Sequence, residues 1–291
     1  MHKMRRSLLY IPGHNPKFLE KASKTEADAV IMDLQESVPD NQKETARDLV
    51  KKVLSGGADF GKTEKIVRIN LLDSELVEKD IRAMVEAQPD CLIIPKSHCA
   101  AEIKRTEDLL SKYEKELKKD KSIKLIPLIE SAKGVFFIKE IMESSKRIVA
   151  ICFGREDLYA DTGAIITEDE QEMLYIKSKL VLAAAAFGVD AIDSPYLYIN
   201  APDAVEKEAR RAAILGFSGA QAIHPSQIVP LNRAFLPSPE QLKEAVEIAD
   251  GFRKSLEINQ PIYVYKGKMM DRPIVEVYEK MIEKARKGGL I

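Results

Sequence analysis

No apolar run in this sequence approaches the ~20 residues that a bilayer-spanning helix needs, so no membrane segment is expected. Histidine is scarce, four in 291 residues, which argues against a histidine-rich metal site. The three cysteines, Cys91, Cys99 and Cys152, lack metal-ligand spacing. Cys91 and Cys152 sit inside apolar runs and read as buried small hydrophobes, which suits a reduced, cytoplasmic protein. Charge of one sign is lacking too. The 45 Lys and Arg against 46 Asp and Glu leave a formal net charge of −1, so no nucleic-acid or polyanion partner is implied. Residues 1–6 are basic, but the apolar stretch behind them is too short for a signal-peptide core. No GxGxxG or GxxxxGK[ST] fingerprint follows an apolar run, which weighs against a dinucleotide-binding fold and a P-loop.

What is present is a repeat of short apolar runs, at residues 7–11, 29–32, 66–69, 91–94, 125–129, 149–153, 191–192 and 220–223. Amphipathic, helix-forming stretches fill most of the gaps, at 41–54, 75–87, 101–117, 170–187 and 204–215. Units repeating every ~30 residues over ~250 residues predict an α/β fold, a (β/α)₈ TIM barrel. A doubly wound open sheet is the competitor. The pattern changes after residue 236. Pro237-Ser238-Pro239-Glu240 breaks the chain and caps a helix over 241–256; an extended, hairpin-like stretch (261–268) and a terminal helix (275–284) follow. The domains are therefore expected as 1–236, the catalytic barrel, and 237–291, a C-terminal helical extension that acts as a lid or an oligomer contact.

The stretch 125–161, which begins LIPLIESAKG and ends VAICFGREDLYAD, organises the rest. Its two apolar runs flank a segment of helical spacing (135–142), a strand–helix–strand unit whose strands are parallel neighbours. The first run stops at Glu130 and the second at Glu156 and Asp157. Glu130 and Asp157 then converge, and two such carboxylates repel unless a cation or proton sits between them. Mg²⁺, typically held by one or two carboxylates plus substrate and water, is the candidate. The plainer reading of each acid is a helix cap or first-turn residue.

Barrel enzymes assemble their sites at the carboxyl ends of the strands. Those ends carry Pro12-Gly13-His14, then Asp33, Gln35 and Glu36, Arg68 to Asn70, Pro95-Lys96-Ser97, Glu130, Asp157, Asp193 with Pro195 and Tyr196, and His224 to Gln227. Arg68 needs an anionic partner if buried. It either pairs structurally with Asp33 or Glu36, or forks onto a substrate carboxylate or developing oxyanion. Arg6 lies nearer the opposite face. His224 suits a general base or a satisfied structural histidine.

Seven stretches in this order, RRSLLYIPG (5–13), ADAVIMDLQESV (27–38), VRIN (67–70), IIPK (93–96), PLIESAKG (127–134), FGREDL (153–158) and AIHPSQI (222–228), with the tail KGKMMDRPIVE (266–276), resemble the HpcH/HpaI aldolase and citrate lyase beta-subunit family. The resemblance covers nearly the whole chain. It implies a Mg²⁺-dependent barrel acting on carbon–carbon bonds of acyl thioesters, with Glu130 and Asp157 on the metal. It implies Arg68 and Asp271 as catalytic residues, Asp271 entering a neighbouring subunit's site. Gln35-Glu36 departs from the usual Glu-Asp of the second strand, though Asp33 and Glu36 keep carboxylates available to support the site. The substrate side would be formed by Arg68, Glu130, Asp157, Pro95 and Lys96, and His14, Lys17 and Lys21 would meet a coenzyme A carrier. The expected activity is cleavage of a β-hydroxyacyl-CoA thioester of citramalyl-CoA or malyl-CoA type. Its alternatives are the beta subunit of a citrate lyase complex with a carrier-protein thioester, a malyl-CoA thioesterase or malate-synthase-like enzyme, and a non-catalytic scaffold subunit. A homo-oligomer, most simply a trimer, is expected.

Overall fold

The structure is a computed structural model and describes residues 3–56, 58–167 and 169–291. Met1 and His2, part of the basic N-terminal stretch and of the expected 1–236 domain, lie outside them. The described chain forms two compact units, Lys3–Asn232 and Arg233–Ile291.

The first unit is a closed barrel of eight parallel strands in sequential order: β1 Ser7–Pro12, β2 Ala29–Asp33, β3 Glu64–Arg68, β4 Cys91–Ile94, β5 Lys124–Ile129, β6 Ala150–Phe153, β7 Asp190–Asp193 and β8 Gly219–Ala222. β1 closes the ring on β8, with Leu8 opposite Gln221. The eight expected runs all become strands and the open-sheet competitor is excluded. Ends shift by a residue or two, and the third run moves earlier, to Glu64–Arg68. Helices fall where amphipathic spacing places them: Lys43–Ser55, Val77–Ala87, Ala100–Glu116, Leu174–Phe187 and Pro202–Leu215. The segment expected as one helix between β5 and β6 is split into Ala132–Phe136 and Ile138–Glu143.

Side chains of a strand alternate between its two faces, and that parity builds both the core and the site. Leu8, Ile31, Ile66, Ile93, Leu128 and Cys152 point inward and belong to one buried cluster. Two residues further along the chain stand Tyr10, Asp33, Arg68, Pro95, Glu130 and Gly154, and all of these but Pro95 line a cavity at the strand ends. The row that fills the barrel thus continues into its carboxyl-terminal mouth. At the opposite end a buried ion network closes the floor. Arg5 forks onto Glu64 at 2.6 and 2.8 Å and reaches Asp190 at 2.7 Å. Conserving both charges and bonds in this way is what lets a guanidinium stay buried. Arg6, beside it, pairs with Asp28, so it belongs to this end and not to the mouth.

The second unit holds a long helix, Pro239–Glu257, an antiparallel hairpin of β9 Tyr263–Tyr265 and β10 Lys268–Met270, and the helix Arg272–Lys287. Ser238 caps the long helix in a reciprocal capping box with Gln241. Ile248, Phe252, Tyr265, Met270 and Val275 form the unit's own small core. Among the described residues, no helix is long and apolar enough to cross a membrane.

Candidate active site

A cavity of about 360 Å³ opens at the carboxyl ends of the strands, within the size range of small-molecule sites. Every strand end but that of β4 lines it, and the charged members are Asp33, Glu36, Arg68, Glu130, Arg155, Glu156 and Asp157.

β5 and β6 are paired with Ile129 opposite Phe153, so the next residues, Glu130 and Gly154, stand side by side. A Cβ on Gly154 would lie 2.6 Å from Glu130 Cβ and 2.7 Å from its Oε2. Glycine is therefore what allows the Glu130 carboxylate to turn across the neighbouring strand. Gly154 also starts the helix Arg155–Thr162, whose first turn holds Glu156 and Asp157. Asp157 is thus both a first-turn acid, as the plain reading has it, and a wall of the cavity.

Glu130 is 4% exposed and accepts the Lys96 N–H at 2.7 Å. Burial pushes its carboxyl up to about 7, and the nearby Asp157 and Glu36 charges add to the rise. An anion here is short of positive charge. Asp157 has one cation at hand, the Lys96 ammonium at 3.2 Å.

Arg68 is paired with Asp33 and Glu36, acids at and just after the end of β2, and also faces the cavity. Its Nε and Nη2 fork onto Asp33, both at 2.7 Å, and its Nη1 meets the half-exposed Glu36 at 3.2 Å. Its guanidinium lies over the Tyr10 ring, 4.7 Å from the centroid. Burial alone would raise the Asp33 carboxyl, but the Arg68 fork, the Ser37 hydroxyl and the Gln35 N–H hold it below the usual carboxylate range. Arg68 still lines the cavity, so a substrate anion can replace Glu36 at Nη1 while Asp33 keeps the fork.

Chain comparisons agree on one relationship. Residues 6–225 match the model of the HpcH/HpaI aldolase/citrate lyase family. The chain belongs to that family. It is 33% identical over 288 residues to the mitochondrial citramalyl-CoA lyase of Rattus norvegicus, covering 96% of this chain and 85% of that one. It is 31% identical over 290 residues to citrate lyase subunit beta of Leuconostoc mesenteroides subsp. cremoris, covering 99% and 96%. Among solved structures it is similar to CitE of Mycobacterium tuberculosis in complex with magnesium, acetoacetate and coenzyme A, with a TM-score of 0.82, 28% identity and coverage of 99% of this chain and 100% of that one.

Within this family member, Asp33, Glu36, Arg68, Glu130 and Asp157 meet at one cavity. Pro95 is buried behind the end of β4, outside the lining. Lys17 and Lys21 are exposed on the short helix Pro16–Lys21, and His14 stands before it with its Nδ1 buried and without a hydrogen-bond partner. None of the three lines the cavity. Asp271 lies in the second unit, where it caps the helix Arg272–Lys287 through the Ile274 N–H at 3.3 Å. His224 is exposed and caps the turn Pro225–Gln227, the structural reading.

Sequence reasoning missed Tyr10, Arg155, Ser194 and Gln221. Tyr10 lies inside an apolar run whose parity is invisible until the barrel closes. Its phenol donates to Gln221 Oε1 at 2.8 Å, because the Gln221 amide nitrogen already serves the Phe153 and Asp193 carbonyls. An amide inside the run 220–223 was the available signal. Arg155 joins Glu156 and Glu170, and Glu170 and Asp193 share Lys177, a chain of charges that braces the turn carrying Asp157.

The Gly154 geometry generates a prediction. Gly154→Ala should cost about 1–3 kcal/mol of stability, the usual penalty of forced overpacking, measured by urea denaturation. A stability equal to wild type would show that Glu130 does not need the space.

Proposed function

We propose that this chain is a Mg²⁺-dependent carbon–carbon lyase that cleaves a β-hydroxyacyl-CoA thioester of citramalyl-CoA or malyl-CoA type into a 2-keto acid and acetyl-CoA. The observation that carries the reading is the Glu130–Asp157 pair at one mouth, with the Glu130 carboxyl raised to about 7 by burial and by neighbouring anions. Among the described residues no group of three or more His, Cys, Asp or Glu side chains could hold a metal. On this reading the donor set is the two carboxylates Glu130 and Asp157, with the remaining positions left to water and substrate, which suits Mg²⁺. Bound there, Mg²⁺ supplies Lewis-acid polarisation of the keto oxygen and a template for the adjacent carboxylate.

The chain's own residues divide the rest of the work. Cleavage turns the substrate hydroxyl into a keto group, its proton passing to water, and leaves the electron pair of the broken bond on the thioester α-carbon, which takes up one proton to give acetyl-CoA. Arg68 stabilises the negative charge that develops, through the Nη1 now shared with Glu36. Lys96 offers an ammonium to the keto-acid end, and Pro95 shapes the backbone that carries it. Asp271, from the extension of a second chain, moves the proton at the α-carbon. His14, Lys17 and Lys21 serve the carrier end.

A homo-oligomer, most simply a trimer, follows from the same reading. The helix Leu174–Phe187 exposes Tyr175 at 72% and Leu182 at 69%, and Phe136 stands out at 75% from the helix Ala132–Phe136. An outer barrel helix that is apolar on its solvent side suits burial against another subunit. Three free cysteines suit a reduced compartment such as the cytoplasm.

Two experiments test the proposal. With (S)-citramalyl-CoA and Mg²⁺, the purified chain should release pyruvate and acetyl-CoA, detected by coupled assay and mass spectrometry, and Asp157→Ala or excess EDTA should abolish turnover. Undiminished activity in either case sinks the metal role, and release of free coenzyme A without pyruvate would mean thioester hydrolysis. Separately, inactive Asp271→Ala and inactive Asp157→Ala chains, mixed under subunit exchange, should regain activity, because some mixed oligomers carry one intact composite site. No recovery despite demonstrated exchange would mean that Asp271 serves its own barrel or does no chemistry.

A further inference from the structure

Lys96 touches both carboxylates of the candidate metal pair, and it does so in two different ways. Its main-chain N–H donates to Glu130 Oε1 at 2.7 Å. Its ammonium lies 3.2 Å from Asp157 Oδ1. The backbone that makes both contacts possible is unusual: Lys96 has φ of 45°, the left-handed region that a side chain with a Cβ rarely adopts and that persists only where its surroundings enforce it. The chain turns sharply at the end of β4, aims the N–H across to the end of β5, and sends the side chain on toward the helix that follows β6.

The two contacts have different freedom. The N–H belongs to the backbone of the turn and does not move with the lysine side chain. The ammonium rides on a flexible four-carbon stem, and its side chain is 41% exposed against 36% for Asp157. It can swing into water or toward an incoming anion at small cost. A divalent cation on Glu130 and Asp157 would claim the same Asp157 carboxylate that the ammonium now neutralises, and two cations on one carboxylate repel.

We infer that the Lys96 ammonium is an exchangeable counter-ion that competes with the divalent cation for Asp157, and so sets how tightly the site binds that cation. The inference rests on the metal reading of Glu130 and Asp157. It assigns Lys96 a positioning role: bound metal releases the ammonium from Asp157, and the released charge becomes available to the substrate's carboxylate, so metal and substrate binding are coupled through one side chain. A plain surface ion pair would leave cation affinity untouched. A lysine that merely supported the metal ligands would, when removed, weaken the cation.

Calorimetric titration of Mg²⁺ into full-length wild type, Lys96→Met and Lys96→Gln, with folding checked by circular dichroism, separates these outcomes. Both variants keep the main-chain N–H on Glu130, and the glutamine variant carries the comparison if methionine does not fold. The inference expects the Mg²⁺ dissociation constant to fall by about fivefold or more in the variants, the scale of a charge repulsion across a few ångströms of water. Glu130→Gln, as reference, should lose saturable binding. Wild-type binding with unchanged or weakened affinity in the folded Lys96 variants overturns this inference alone. Absence of any Mg²⁺ binding to wild type overturns the metal reading and this inference with it.

Discussion

The register between β5 and β6 sets the whole mouth of the barrel. With Ile129 opposite Phe153, Glu130 and Gly154 come side by side, and a Cβ at 154 would meet Glu130 at 2.6 Å. Gly154 then lets the chain enter a helix at once, and the first turn of that helix brings Asp157 to the same cavity as Glu130. The turn is held from outside by Arg155, which reaches Glu156, Glu170 and the Pro195 carbonyl, while its main-chain N–H donates to Ser194. Shifting the pairing by one residue would invert every inward and outward face of the strand, removing the two carboxylates from one cavity and the core side chains from the interior together.

Charge balance then decides which acids are available. Five carboxylates line the cavity with two arginines. Asp33 is bound by the Arg68 fork and Glu156 by Arg155. Glu36 meets only one nitrogen of Arg68, at 3.2 Å, and is half-exposed. Glu130 and Asp157 remain, with a main-chain N–H and one mobile ammonium between them. An excess of buried negative charge of this kind is relieved by protonation or by a cation, and the chemistry proposed for the family member uses the second route.

Much of this is legible in the sequence alone. The eight runs read as strands because each is too short for a helix and most are separated by a stretch with helical spacing; their regular repeat favours closure, which the barrel then shows. Glu130 and Asp157 were legible because a strand–helix–strand unit makes its strands parallel neighbours. Other features depend on distances that a sequence does not contain. Arg68 was open between a structural and a substrate-facing reading, and only the distances put its fork on Asp33 at 2.7 Å while leaving Nη1 at the cavity with Glu36. Tyr10 looks like one more apolar residue of its run until alternation puts it under Arg68. Pro95 follows the strand end as expected, yet it is buried there and outside the cavity lining.

The central claim is that a divalent cation binds between Glu130 and Asp157. The most direct measurement is an anomalous difference map from a crystal of the wild-type chain soaked in Mn²⁺. The account predicts a strong peak in contact with both carboxylates, with the Lys96 ammonium displaced from Asp157. A map without a peak there, while the Lys96–Asp157 pair stays intact, would contradict it.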